Sequence, residues 1–139
     1  IQSKSEVLYI KNRTLQDIVD FYPIGAISKG CEGKDMAELM DMHELGAVAF
    51  SDGSHSVQNS GMMMRGLLYA KPFEGLLMNH PHDTQIAGNG FVHEGVISTS
   101  LGLTGIPALS EEMMVQRDLH LVEYAEGRLH FSNISSNVI

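Results

Sequence analysis

The chain has 139 residues, 43% hydrophobic and 19% charged, with a net charge of −8 at pH 7. That length suits one domain burying roughly two-thirds of its unfolded surface, with enough apolar surface to exclude disorder as the main state. The acidic balance argues against nucleic acid as a partner, because phosphate contacts need clustered Lys and Arg.

Ser5 to Val19 reads as a helix, with Val7, Ile10 and Ile18 on one side. Phe21 to Ser28 reads as a strand apolar on both faces, with Pro23 suited to its start or to a bulge. Gly30-Cys31-Glu32-Gly33 is a loop. Asp35 to Leu45 is a helix with Met36, Leu39 and Met40 spaced for one face, and Gly46 stops it. Ala47 to Ser51 is a short buried strand, followed by the polar loop Asp52 to Ser56. Asn59 or Ser60 caps a helix from Gly61 to Ala70, with Met63, Leu67 and Ala70 inward. Leu76 to Asn79 is another buried strand, ending in His80-Pro81-His82-Asp83. A Gly-rich loop follows, and then the turn-rich stretch Leu101 to Pro107. Ser110 caps the last helix, whose first-turn Glu111 and Glu112 suit the helix dipole, and which runs to about Ala125. Arg128 to Ile134 is the final strand.

Apolar strands separated by helices predict an α/β fold with a parallel sheet of about four strands covered by helices. An open doubly wound sheet fits, and so does half of a (β/α)8 barrel, which needs about 250 residues when whole. The single Cys31 leaves no internal disulfide framework and suits a reducing compartment. No apolar run approaches the ~20 residues that span a bilayer, so no membrane partner is expected. The opening residues Ile1 to Glu6 lack a signal-peptide core. The non-Met start and the end at Ile139 are expected to be cut ends of a longer protein.

Polar residues follow the strands: Ser28-Lys29, Asp52, His80 with His82, and Asn133 with Ser135 and Ser136. In parallel α/β folds ligands bind at these carboxyl ends. His80 and His82 face one way if the strand continues through them. They are then a metal-binding pair, the alternative being two plain loop histidines. Asp52-Gly53 is a metal carboxylate or a common Asp-Gly turn. His55 is exposed-loop material. Cys31 is a packed or idle thiol rather than a nucleophile. His93-Glu94 is an acid/base pair or a loop-structuring element.

Pro23-Ile24-Gly25-Ala26-Ile27-Ser28-Lys29-Gly30 resembles the segment around one barrel strand of the dihydroorotases. Gly46-Ala47-Val48-Ala49-Phe50-Ser51-Asp52-Gly53 is similar to their next strand, which usually reads Ala-Phe-Ser/Thr-Asp-Asp-Gly. His93-Glu94-Gly95, Leu101 to Pro107 and Met113 to Asp118 match further family segments in the same order. Hydantoinases and allantoinases fit less well, because they usually carry a lysine-bearing strand where this chain has Phe50-Ser51-Asp52.

The resemblance implies that residues 1–139 are the central part of a metal-dependent (β/α)8 barrel of pyrimidine biosynthesis, cytoplasmic, interconverting dihydroorotate and N-carbamoyl-aspartate. The family uses zinc to polarise an amide carbonyl and to lower the pKa of bound water. Of the metal positions falling in this window, His80 is retained. Gly53 stands where the second Asp of Asp-Asp-Gly is usual, and Asn133 where a His is usual. Asp52, His55 and His82 are the candidate substitutes. The resemblance therefore leaves two readings of the parent: an active enzyme with shifted ligands, or a non-catalytic paralogue scaffolding a transcarbamoylase. The segment alone is expected to be inactive, with open sheet edges that favour self-association.

Overall fold

The computed structural model describes residues 1–137. In chain order the elements are α1 (Lys4–Thr14), β1 (Ile24–Gly25), α2 (Leu39–Glu44), β2 (Ala49–Ser51), α3 (Ser60–Ala70), β3 (Leu76–Asn79), α4 (Thr84–Ala87), β4 (Val92–His93), α5 (Val96–Ser100), β5 (Gly105–Ile106), α6 (Leu109–Ala125) and β6 (Arg128–Phe131). Four of the strands form one sheet in the order β1-β2-β3-β6. Every pair in it is parallel. The sheet does not close on itself. It is an α/β arrangement of parallel strands alternating with helices, as expected, and has the architecture of part of a (β/α)8 barrel.

Register explains where the core sits. Gly25 pairs with Phe50, Phe50 with Leu77, and Leu77 with Leu129. Side chains alternate along a strand, so this row faces one way. Phe50 and Leu77 are fully buried in a core with Val7 of α1, Met42 of α2, Met63 and Leu67 of α3, and Ala125 of α6. Burying each such side chain contributes about 1.5–3 kcal/mol. Gly25 keeps that layer close: a Cβ there would lie 2.8 Å from the Met42 sulfur. The neighbouring positions Ile24 and His130 face the other way and are exposed.

Local signals account for the helix ends. The Asn59 side chain accepts from the Met62 amide at 3.0 Å, capping α3 as its sequence suggests. Gly46, at φ 101°, ends the α2 segment.

Several boundaries differ from the sequence reading. α1 ends at Thr14, and Ile18, expected on its buried side, is fully exposed in the following segment. The strand expected over Phe21–Ser28 is only Ile24–Gly25. Beyond it the backbone is claimed by the loop: Ile27 O accepts from Ala37, and Ser28 bridges Met36. The helix expected from Asp35 begins at Leu39. The final strand stops at Phe131, since Asn133 takes a left-handed φ of 60°.

The region expected to be a Gly-rich loop is structured. Asp83 Oδ1 accepts from the Gln85 and Ile86 amides and caps α4. β4 pairs in parallel with β5, Val92 with Gly105 and His93 with Ile106. α6 begins one residue before Ser110, and its cap position is Ala108. Ser110 is instead buried in the first turn, with its carbonyl accepting from the Asp83 amide at 3.0 Å.

Candidate functional site

The carboxyl ends of β3 and β6, the end of β4 and the start of α6 enclose a cleft of about 270 Å³. His80, Pro81, His82, His93, Glu111 and Asn133 are among its walls. The parallel sheet places the ends of β3 and β6 side by side, because Asn79 is in register with Phe131. The two chains then leave the sheet together, with Ser132 N donating to Asn79 O at 3.0 Å.

His80 is half-buried. Its Nδ1 lies 3.4 Å from Ser132 O. The strand ends before it, yet His80 and His82 still share a side: their rings are 5.8 Å apart between centroids and within 9° of parallel. The buried Pro81 between them does not separate them into different surroundings. His82 is held through its backbone, whose carbonyl accepts from Gln58 Nε2 at 2.7 Å.

Glu111, in the first turn of α6, is buried. Its carboxylate accepts from the Ser135 amide at 3.0 Å and hydroxyl at 2.8 Å, and from the Ser136 amide at 2.6 Å. Burial opposes its ionisation. The hydrogen bonds from Ser136 and Ser135, with His80 nearby, outweigh that and hold the carboxyl below its usual value. From sequence, Glu111 has only a helix-dipole role. Nothing local separates it from Glu112; the partner segment is 24 residues away.

Behind the cleft is a second buried carboxylate. Asp118 accepts from Asn79 Nδ2 at 2.6 Å and from Arg117 Nε at 2.9 Å and Nη2 at 2.6 Å. Asn79 Oδ1 accepts in turn from the Val57 amide at 3.1 Å, and Arg117 Nη1 donates to Gln58 O at 2.9 Å. Desolvation raises the Asp118 pKa, with Arg117 and Asn79 opposing it. This network ties β3, α6 and the segment before α3 into one support beneath His80 and His82.

The other sequence candidates lie elsewhere. Asp52 is buried. Its Oδ1 accepts from the Ile27 and Ser28 amides at 2.8 and 2.9 Å, and its Oδ2 from Ser28 Oγ at 2.5 Å. It staples the end of β2 to the end of β1. Gly53 is an exposed turn residue at φ 66°. His55 is exposed and lines a separate depression with Cys31, Gln58 and His82. The Cys31 thiol is pushed up by burial and by Asp52, which favours the idle-thiol reading.

The donor set does not match the zinc implied by the resemblance. Zinc sites take three or four protein ligands, drawn from thiolate, imidazole and carboxylate. Asn133, at the position where the resemblance implies an imidazole, lines the cleft, and its carboxamide has no basic nitrogen. Gly53 supplies no side chain, and the Asp52 oxygens are engaged by Ile27 and Ser28. Among the described residues no group of three or more His, Cys, Asp or Glu is arranged to hold a metal ion. None of the described helices is long and apolar enough to cross a membrane.

Comparison with known proteins bears on the same window. Residues 2–138 match the family model described as Dihydro-orotase-like. A dihydroorotase of Pelotomaculum thermopropionicum is 45% identical over 130 residues, which is 94% of this chain and 30% of that protein. Those of Syntrophus aciditrophicus and Acetivibrio thermocellus are 44% and 41% identical, over 92% and 98% of this chain and 30% and 32% of theirs. The chain thus spans about a third of the length of these relatives.

Proposed function

The chain belongs to the dihydro-orotase-like family, and from that premise we propose that it is the central part of a dihydroorotase-like protein of pyrimidine biosynthesis. Its cleft forms one wall of a pocket for dihydroorotate or N-carbamoyl-aspartate, and the protein acts in the cytoplasm. The observation that carries this reading is the cleft itself, at the carboxyl ends of two adjacent parallel strands with His80 retained in it. The ligands are small, polar and rich in carbonyl and carboxylate oxygens. The His80 imidazole and the Asn133 carboxamide offer hydrogen bonds of the right kind.

The family's reaction is reversible hydrolysis of a cyclic amide. The described residues supply no complete ligand set, and residues 1–139 alone are expected to be inactive. The test uses the full-length protein. Calorimetry is expected to show binding of dihydroorotate or N-carbamoyl-aspartate. Absence of binding by both overturns the reading.

A second reading is favoured by one observation, the mismatch of Gly53, Asp52 and Asn133 to a zinc site. In it the parent is a non-catalytic paralogue that scaffolds a transcarbamoylase. Elemental analysis and turnover of dihydroorotate by the full-length protein separate the two. Stoichiometric zinc with turnover removes the scaffold reading, and co-purification with a transcarbamoylase without zinc supports it. The open edges at β1 and β6 lead to a further expectation, self-association of the isolated segment, measured by light scattering.

A further inference from the structure

We infer that Glu111 is a positioning residue of the cleft: through Ser135 and Ser136 it latches the segment after β6 to the first turn of α6 and thereby holds Asn133 in the cleft wall that it shares with His80. The inference rests on the cleft being the ligand pocket.

Three observations carry it. First, the Glu111 carboxylate is buried at the cleft wall, and among the described residues its hydrogen bonds come from Ser135 and Ser136. It receives two backbone amides and one hydroxyl across 24 and 25 residues of sequence. Charge-assisted bonds of this kind are about twice as strong as neutral ones. Second, the latched segment is irregular and mostly exposed. β6 ends at Phe131, Asn133 has a left-handed φ of 60°, and Asn133, Ile134 and Ser135 are exposed. Its anchors upstream are Ser132 N and Oγ, which donate to Asn79 O at 3.0 and 3.3 Å. Third, the segment forms cleft wall: Asn133, Ser135 and Ser136 line the same space as His80 and His93. Ser136 is also tied to Glu112 at 3.3 Å, so both acids of the first turn hold it, Glu111 through the backbone and Glu112 through the hydroxyl.

The geometry gives Glu111 a task that no neutral residue of its size performs. A carboxylate accepts at both oxygens, whereas a glutamine presents one acceptor and one donor. Facing two N–H groups and a hydroxyl, the glutamine amide keeps part of the latch and an alanine keeps none.

The test compares Glu111→Gln and Glu111→Ala with the wild type in the full-length protein. Dihydroorotate affinity is read by calorimetry, melting temperature by calorimetric scan, and exchange of the Ser135 and Ser136 amides by NMR. Glu111→Ala is expected to lose at least tenfold in affinity, measured well below its melting temperature. Glu111→Gln is expected to recover part of that loss, and the two amides to lose protection in the same order. Unchanged affinity with a lowered melting temperature overturns the inference in favour of a purely structural role. If the wild type binds no dihydroorotate, the pocket reading fails. The latch is then judged by amide exchange alone: unchanged protection in Glu111→Ala refutes it and lost protection upholds it.

Discussion

The Asn79 side-chain amide donates to the Asp118 carboxylate across 2.6 Å, and both residues are fully buried. One stands at the end of β3, the other in the middle of α6. The same Asn79 accepts from the Val57 amide with its oxygen, so both halves of its carboxamide are used. A carboxamide donates from its nitrogen and accepts at its oxygen, so one side chain meets both partners.

Replacing Asn79 by Asp tests that pairing. The new carboxylate faces Asp118 with no proton between them, at a site that already disfavours charge on Asp118. We expect a loss of about 2–4 kcal/mol at neutral pH. Part of it should return toward pH 5, where the two carboxylates can share a proton. Urea denaturation at the two pH values measures this.

Asp52 is predicted to matter for stability rather than for metal affinity. Asp52→Ala leaves the buried Ile27 and Ser28 amides without their acceptor and should cost about 2–4 kcal/mol. Asp52→Asn retains one acceptor oxygen and should cost less. Thermal denaturation ranks the variants, and zinc titration of Asp52→Asn is expected to match the wild type.

Glu111 sets an acid limit on the latch. Its folded-state pKa is lowered from the ordinary 4.5. The stability it contributes is therefore present above 4.5 and is lost as pH falls through the lower folded value. Facing it are His80, which adds to the lowering, and the neighbouring Glu112. Amide exchange at Ser135 and Ser136, followed from pH 6 to pH 3, should accelerate only below about pH 4.5 once intrinsic rates are divided out. Acceleration already at pH 6 would contradict the assigned role.

The β4–β5 pair should be sensitive to a single methyl group. A Cβ on Gly90 would lie 2.4 Å from Ile106 Cγ1 and 2.8 Å from Gly105 O. Gly90→Ala is expected to loosen residues 88–107 while sparing the main core, since no residue of that stretch belongs to it. Limited proteolysis should cut the variant in this region several-fold faster, with a change in global unfolding of about 1 kcal/mol or less.

The sequence alone determined the parallel α/β class, the inward face of α3 and the likeness to dihydroorotases, and it narrowed the α3 cap to Asn59 or Ser60. Those features depend on residues within a few positions of each other, or on strings long enough to compare. Ile18 shows where such reasoning stops. Its spacing suits a buried helix face, but no element of the described residues packs there, and the helix ends at Thr14. Asp52 shows the same for chemistry. A carboxylate at a strand end is a metal ligand or a staple according to what lies opposite, and Ser28 lies opposite. Only the tertiary structure joined Glu111 to Ser135, Asn79 to Asp118 and His80 to Ser132. Each pair is separated by 24 to 52 residues. Hydrogen bonds across such distances arise from sheet register and helix placement, which local sequence does not encode.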